Sequence, residues 1–448
     1  MAPLTAHAIV YEHIPGGHVT ADTSTWARPD KPARPATPGA PATAETIFAE
    51  VAGRLGDGKA DFALAICSVH DYRDISGALG PAAAGELLHR IGQRLAERIR
   101  PDERCAPLPD GTFALLLAET TPESVRDRIV DLIRHGSGWT PDVYGQLTAG
   151  AAAAGDVASA DDLFAHADVA LTEAFRGGPG TVTLFAPDLL VRARARVGLD
   201  VDLRRAVESG QIIVHYQPVV ALGGDGEIVG YEALARWPDQ ARGWVRPDEF
   251  IPAAERSGLI ADLGRAVVRR AIADLQRYGG DRNAWVSVNV SAIQLDDDSF
   301  ARCLLSNFTD TTIPRERLRV EVTESALLVS RARRQLAEIR RHGVRVLVDD
   351  FGTGYSSLAS LRRLPIDGIK IARELLHDDE PGLPDPTVVH AVRLLADGAG
   401  VTEVIAEGVE SAAEARALSA LGVPYAQGFH LGRPAEAARA LRQPRAAV

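Results

Sequence analysis

The stretch Val346–Ser357, VLVDDFGTGYSS, decides how the second half of this chain is read. Three apolar residues, Val346, Leu347 and Val348, predict a buried strand, and Asp349 and Asp350 stand where it ends. Successive side chains of a strand point to opposite faces. Two adjacent carboxylates therefore converge on one site only if the backbone leaves strand geometry between them. Gly352 and Gly354 permit such a bend, because glycine adopts positive φ without steric cost. Asp349 would then bridge two divalent cations while Asp350 binds one. Two metals about 3.5–4 Å apart form a clamp for in-line attack at phosphorus.

Neighbouring apolar runs repeat this layout. IIVHYQPVV, GYEALARW, WVSVNVS, LRVEVTES, IDGIKIA, EVIAEGVE and PYAQGFHLGRP each place a carboxylate, amide or lysine among or after apolar residues. Helical patterns such as ADLGRAVVRRAIADLQRY and RRQLAEIRRHG separate most of them. Repeated strand-then-helix units over residues 199–440 predict an α/β fold of the (β/α)8-barrel type. A doubly wound open sheet is the alternative.

In a barrel, the C-terminal strand ends share one rim. That rim would collect Glu232, Asn289, Glu321, Glu324, Asp349, Asp350, Lys370, Glu407 and Gln427. Any one of them alone reads as a helix cap or a solvated loop residue. Together, the acids would repel and raise one another's pKa. Divalent cations between them make the arrangement tolerable, and oxygen donors with one amide suit Mg2+ or Mn2+. Lys370 is then placed to steer or deprotonate the bridging water, or to stabilise charge on phosphoryl oxygens.

The remainder of the 448 residues organises around this region. Residues 1–43 are rich in Pro and Ala without hydrophobic periodicity, which predicts a disordered tail. Residues 44–190 alternate strand patterns (FALAICSV, TFALLLAE, TVTLFAP) with helical ones (AAAGELLHRIGQRLAERIR, PESVRDRIVDLIRH), as in an α/β domain. Residues 191–210 read as a charged linking helix. The net charge of −11 argues against general affinity for nucleic acid or an anionic membrane. Cys67, Cys105 and Cys303 form no CxxC pair, so neither a disulfide framework nor a structural zinc is expected. No apolar run reaches membrane-span length and no signal-peptide pattern opens the chain, so the expectation is a soluble cytoplasmic protein.

The ordered motifs HYQP, EALARW, FIPAAE, VNVSA, VEVTES, DDFGTGYSSL, IKI, AEGVE and QGFHLGRP closely resemble the EAL domain, whose active members are cyclic di-GMP phosphodiesterases. The resemblance implies hydrolysis to linear pGpG with two ions, Mg2+ or Mn2+. It implies Glu232, Asn289, Glu321 and Asp349 as ligands of one metal, and Asp349, Asp350 and Glu407 as ligands of the other. Lys370 matches the lysine near the catalytic water. Gln217, Arg236 and Gln427 match positions that contact the dinucleotide or organise its pocket. Glu324 matches the anchor of the loop holding Gly352, Thr353 and Gly354, which couples metal binding to dimerisation; a homodimer is therefore expected. Glu410 matches a supporting acid. One departure stands out: many active members read Lys-Ile-Asp where this chain reads Lys370-Ile371-Ala372.

Residues 44–190 resemble the GGDEF domain, the cyclic di-GMP synthase fold, in layout more than in chemistry. Pro109-Asp110-Gly111-Thr112-Phe113 replaces the naming motif, and Ser68, Ser76, Gly85 and Phe175 stand at positions of polar or charged family residues. Serine, glycine and threonine cannot hold cations against a triphosphate, so no cyclase activity is expected. Arg100 and Glu103 fit either a remnant inhibitory site or, as the favoured reading, an exposed charged turn. The expected whole is a cyclic di-GMP phosphodiesterase with an inactive regulatory module; a non-hydrolytic cyclic di-GMP receptor is the alternative.

Overall fold

Eight segments of the second half close into a barrel in chain order: β1 (Ile213–Ala221), β2 (Ile228–Asp239), β3 (Trp285–Asn289), β4 (Leu318–Thr323), β5 (Arg345–Phe351), β6 (Gly368–Ile371), β7 (Glu403–Ala406) and β8 (Tyr425–Gln427). The computed structural model describes residues 43–119, 121–139, 144–279, 283–352, 362–376, 383–443 and 445–446. All of the expected tail except Thr43, together with Thr353 and Gly354, lies outside them. By its contacts the chain divides into residues 1–195 and 196–448, and the boundary falls inside the helix Pro187–Glu208.

Strands β2 to β8 run parallel, but β1 is antiparallel to both of its neighbours. The expected barrel thus carries one reversed strand. The reason is the connection: β1 and β2 are joined by the short loop LGGDGE, in which Gly223 and Gly226 take positive φ. A parallel pair needs a crossover of a dozen residues or more, whereas a short turn suffices for an antiparallel one. Amphipathic helices cover the outside. Ile260–Tyr278 buries Leu263, Val267, Val268, Ala271, Ile272 and Leu275, and Ser330–Arg341 buries Ala332, Leu336 and Ile339.

Inside the barrel, Val219, Trp285, Leu347 and Ile405 pack together. Below them, at the N-terminal strand ends, Arg319 donates two 2.8 Å hydrogen bonds to Glu403 and lies 3.9 Å over the Trp285 ring. Arg345 also donates to Glu403. Gly230 is required here, because a Cβ would sit 2.1 Å from the Trp285 indole. This end is closed by packed, paired charge.

The first unit holds a five-stranded sheet in the order Arg104–Leu108, Thr112–Leu117, Ala63–Val69, Leu147–Ala153, Val182–Leu184. Only the last pairing is parallel. Period-two alternation builds two cores. Ala63, Ala65 and Cys67 pack with Leu87, Ile91, Leu95, Ile129 and Leu132 on one face, while Leu64 and Ile66 pack with Ile47, Val51, Leu163 and Ala167 on the other. Asp110 (φ 55°) and Gly111 (φ 75°) form the hairpin turn at the position that matches the naming motif of a GGDEF domain. The turn RPDER corrects one expectation. Arg100 is exposed, but Glu103 is buried, accepting from Arg128 Nε at 2.9 Å and from the Arg100 backbone N–H at 2.9 Å. Glu103 ties the turn to the helix Pro122–Gly136 and is not an exposed charge.

Candidate active site

The C-terminal strand ends carry the opposite kind of charge arrangement. Register places Gln217 on β1 across from Glu232 on β2, Asn289 on β3 beside Glu321 on β4, and Thr323 on β4 beside Asp349 on β5. Lys370 on β6 points into the middle and is 1% exposed. Its Nζ lies 2.5 Å from Glu407, 2.9 Å from Glu321, 3.0 Å from Asp349 and 3.5 Å from Glu232.

Between the paired aspartates the backbone leaves strand geometry. The β5–β6 register slips between Val348 and Phe351, and Asp350 takes φ 51°. This left-handed conformation is rare outside glycine, though aspartate tolerates it better than most residues. The bend therefore begins at Asp350 itself, one step before Gly352, whose φ is 103°. It turns the second carboxylate back toward the first. Oxygens of Asp349, Asp350 and Glu407 all lie within 4.8 Å of one another. Among the described residues, no other trio of acidic, histidine or cysteine groups converges in this way. Glu232, Glu321 and Asp349 are gathered around Lys370 instead.

Charge and burial shape each group. Burial alone would lower the Lys370 pKa, but Glu232, Glu321, Glu407 and Asp349 outweigh it and hold the ammonium well above its ordinary value. Burial raises Glu232 less than Lys370 and hydrogen bonds from Gln427 and Asn289 lower it, so it stays below the usual carboxylate range. Burial pushes Glu321 well upward and Glu407 to about 7. Asp350 rises through burial and the charge of Asp349. One lysine does not neutralise five acids.

The donor set fits a divalent cation. All the groups are hard oxygen ligands. The buried Glu321 Oε1 has no hydrogen-bond partner among the described residues, and Asp349 Oδ1 has only the Lys370 ammonium at 3.0 Å. Each Glu232 oxygen accepts one hydrogen bond, from Asn289 Nδ2 at 2.7 Å and from Gln427 Nε2 at 2.6 Å, which leaves a lone pair on each. Asn289 is solvent-exposed and keeps its carbonyl oxygen free of that bond.

The remaining expected residues fall at graded distances from this centre. Gln427 also donates to Gln217, and Gln217 to the Gly432 carbonyl, which locks both amides at the rim. Arg236 is half-buried on β2, and desolvation lowers its pKa. Glu324 is buried in the turn after β4. Glu410 is exposed and pairs with Arg373.

A cleft of about 330 Å³ opens over the cluster, lined by Gln217, Glu232, Asp349, Lys370, Glu407 and Gln427. Arg373 and Phe429 line it too, and sequence reasoning passed over both. Phe429 is 53% exposed, and the Arg433 guanidinium lies 4.3 Å over its ring. An exposed aromatic next to the QG pair was the available signal.

Residues 200–434 match the EAL domain family model. The chain belongs to the EAL domain family. Ahead of this match, residues 44–180 match the model for the diguanylate cyclase, GGDEF domain. The cyclic di-GMP phosphodiesterase PdeR of Escherichia coli K12 is 32% identical over 376 residues, covering 81% of this chain and 56% of PdeR. The bifunctional diguanylate cyclase/cyclic di-GMP phosphodiesterase MucR of Pseudomonas aeruginosa is 31% identical over 399 residues, 85% of this chain and 56% of MucR. The chain thus spans about half the length of the curated relatives it matches. A solved structure of the PaMucR phosphodiesterase in complex with c-di-GMP superposes with a TM-score of 0.50 at 36% identity, covering 53% of this chain and 98% of that one. The EAL enzyme Bd1971, bound to cAMP and cyclic di-GMP, superposes with a TM-score of 0.52 at 28% identity, covering 56% and 69% of the two chains. No helix among the described residues is long and apolar enough to cross a membrane.

Proposed function

We propose that the barrel hydrolyses cyclic di-GMP to linear pGpG with divalent metal, Mg2+ or Mn2+, held at the rim. The observation that carries this reading is the convergence of Asp349, Asp350 and Glu407 beside the unpartnered oxygen of Glu321. Asp349, Asp350 and Glu407 would hold one ion, and Glu232, Asn289, Glu321 and Asp349 the other. Bound metal supplies Lewis acidity toward the phosphoryl oxygens and a nucleophilic hydroxide.

The chain's own groups do the rest. Lys370 stays protonated inside its carboxylate nest, so it supplies positive charge to a phosphoryl oxygen and does not serve as a base. Gln217 and Gln427, locked to each other, hold the carboxylate of Glu232 in one orientation. Phe429 presents an exposed ring to a purine, and Arg236 offers a fork suited to phosphate. PdeR and MucR, named for this activity, support the reading.

The first unit acts as a regulatory module without cyclase turnover in this proposal. Ser68, buried at the end of its strand, brings no charge to a metal. The sequence FGTGYSS after Asp350 and the buried Glu324 support an EAL homodimer coupled to metal binding, and the protein would work in the cytoplasm.

The test is incubation of the protein with cyclic di-GMP and Mg2+ or Mn2+, with products followed by chromatography. Linear pGpG that disappears with EDTA is the expected result. Saturable binding without product would overturn it in favour of a receptor. Ala372, buried where many active members carry an acid, is the observation that favours that second reading.

A further inference from the structure

The ribbon made by β1, β2 and the short strand Gly243–Val245 continues past the acidic cluster, and its inner face is not inert. Register pairs Gln217 with Glu232, then His215 with Leu234, then Ile213 with Arg236. Trp244 pairs with Pro238. Side chains alternate along a strand. Leu234, Arg236 and Pro238 therefore share the face of Glu232, and His215 shares the face of Gln217. The opposite face is accounted for by Trp237, which is fully buried against Phe250.

Trp244 sits on that inner face and is 59% exposed. Its ring centre lies 5.8 Å from that of the His215 ring, edge to face. His215 Nε2 is buried and has no hydrogen-bond partner among the described residues. His215 is one two-residue step along the strand from Gln217, a rise of about 7 Å. An exposed indole, an unsatisfied ring nitrogen and a half-buried guanidinium thus lie together just above the carboxylates. A large apolar ring left in water beside an orphaned polar atom is the composition of an incomplete ligand pocket.

We infer that Trp244 and His215 form a platform for one purine of the cyclic dinucleotide, with the indole stacking on the base and His215 Nε2 hydrogen-bonding its edge. This deepens the proposed function and rests on it. A cyclic dinucleotide brings two bases to one site, and Phe429 flanks the cleft as a second exposed ring. The platform acts on binding and not on the bond being broken, so it weights KM over kcat.

The experiment compares the full chain with Trp244→Ala, Trp244→Phe and His215→Ala. Steady-state kinetics on cyclic di-GMP with Mn2+ are paired with equilibrium binding of cyclic di-GMP in EDTA. Loss of one base–aromatic stack should raise KM and Kd at least about fivefold in Trp244→Ala. kcat should fall far less, Trp244→Phe should recover most of the loss, and His215→Ala should raise Kd by a smaller factor. Because Trp244 is exposed, its removal leaves the core intact. Unchanged KM and Kd in Trp244→Ala would overturn the platform and leave the phosphodiesterase reading standing. A parent that neither binds nor cleaves cyclic di-GMP would overturn that reading, and the platform with it.

Discussion

The two ends of the barrel are built from the same strands and treat charge in opposite ways. At the N-terminal end, one carboxylate, Glu403, meets two guanidinium groups, Arg319 and Arg345, and Arg319 is further covered by Trp285. At the C-terminal rim, one ammonium meets Glu232, Glu321, Asp349 and Glu407, with Asp350 beside them. Buried charge is tolerable when paired and hydrogen-bonded. The lower end comes close to it: both Glu403 oxygens accept from arginine, while Arg319 Nη1 is left without a partner among the described residues. At the rim five acids face one ammonium, and the buried Glu321 Oε1 has no hydrogen-bond partner among the described residues. At the base one acid faces two guanidinium groups, Arg345 partly in water, whereas the rim carries an excess of acid that suits a bound cation.

The sharpest way to break this comparison is Asp349→Asn, which removes a charge from the rim and none from the base. Turnover of cyclic di-GMP should fall at least about a thousandfold, roughly 4 kcal/mol of barrier, while the thermal midpoint stays level or rises because repulsion is relieved. Product chromatography and a melting curve check both halves. An equally active variant would mean that Asp349 holds nothing used in the reaction. The converse change is Glu403→Ala, which strands two guanidinium groups. Removing one partner of a buried pair costs about 3–5 kcal/mol. Denaturant unfolding should show that loss, with turnover at low temperature nearly unchanged. If Glu403→Ala were neutral for stability, the lower end would not be the structural plug described.

Much of this contrast was legible beforehand, for a physical reason. Parallel barrel strands are buried on both faces, so a polar residue near a strand end is conspicuous against an apolar run. Glu232, Glu321, Asp349 and Lys370 stood out for that reason. Strand direction is not written in apolar residues, and the reversal of β1 had only the six-residue loop LGGDGE as its signal. An aspartate at positive φ is an exception, so the sequence signals the bend only through the glycines that follow Asp350. Glu103 was misread because its partner Arg128 lies 25 residues on, beyond the reach of a local turn pattern. Arg373 and Phe429 lie just past strand ends, where both residue types are common.

Metal addition probes the same contrast with a smaller effect. Ions that bind only the folded rim stabilise it by about 2.7 kcal/mol at a hundred times Kd. Mn2+ should therefore raise the melting temperature of the parent, EDTA should reverse the rise, and Glu403→Ala should show the same shift from its lower baseline. Asp349→Asn should show little or none. A shift retained in Asp349→Asn would place the ion elsewhere.

The smallest effect belongs to Glu324, buried just after the Glu321 strand with its Oε2 unpartnered among the described residues. Among the described residues it makes no hydrogen bond to a proposed ligand, yet the turn Glu324–Leu328 packs directly onto β4 and β5, which carry Glu321 and Asp349. Replacing it with alanine removes a desolvated carboxylate, so the fold should hold. What should change is the coupling between association and ion binding. Metal titrations of the parent are expected to tighten with protein concentration, whereas those of Glu324→Ala should lose most of that dependence and shift by severalfold at most. Superimposable titrations for the two proteins across a range of concentrations would reduce Glu324 to a buried packing residue and confine the metal-dependent chemistry to the strand ends themselves.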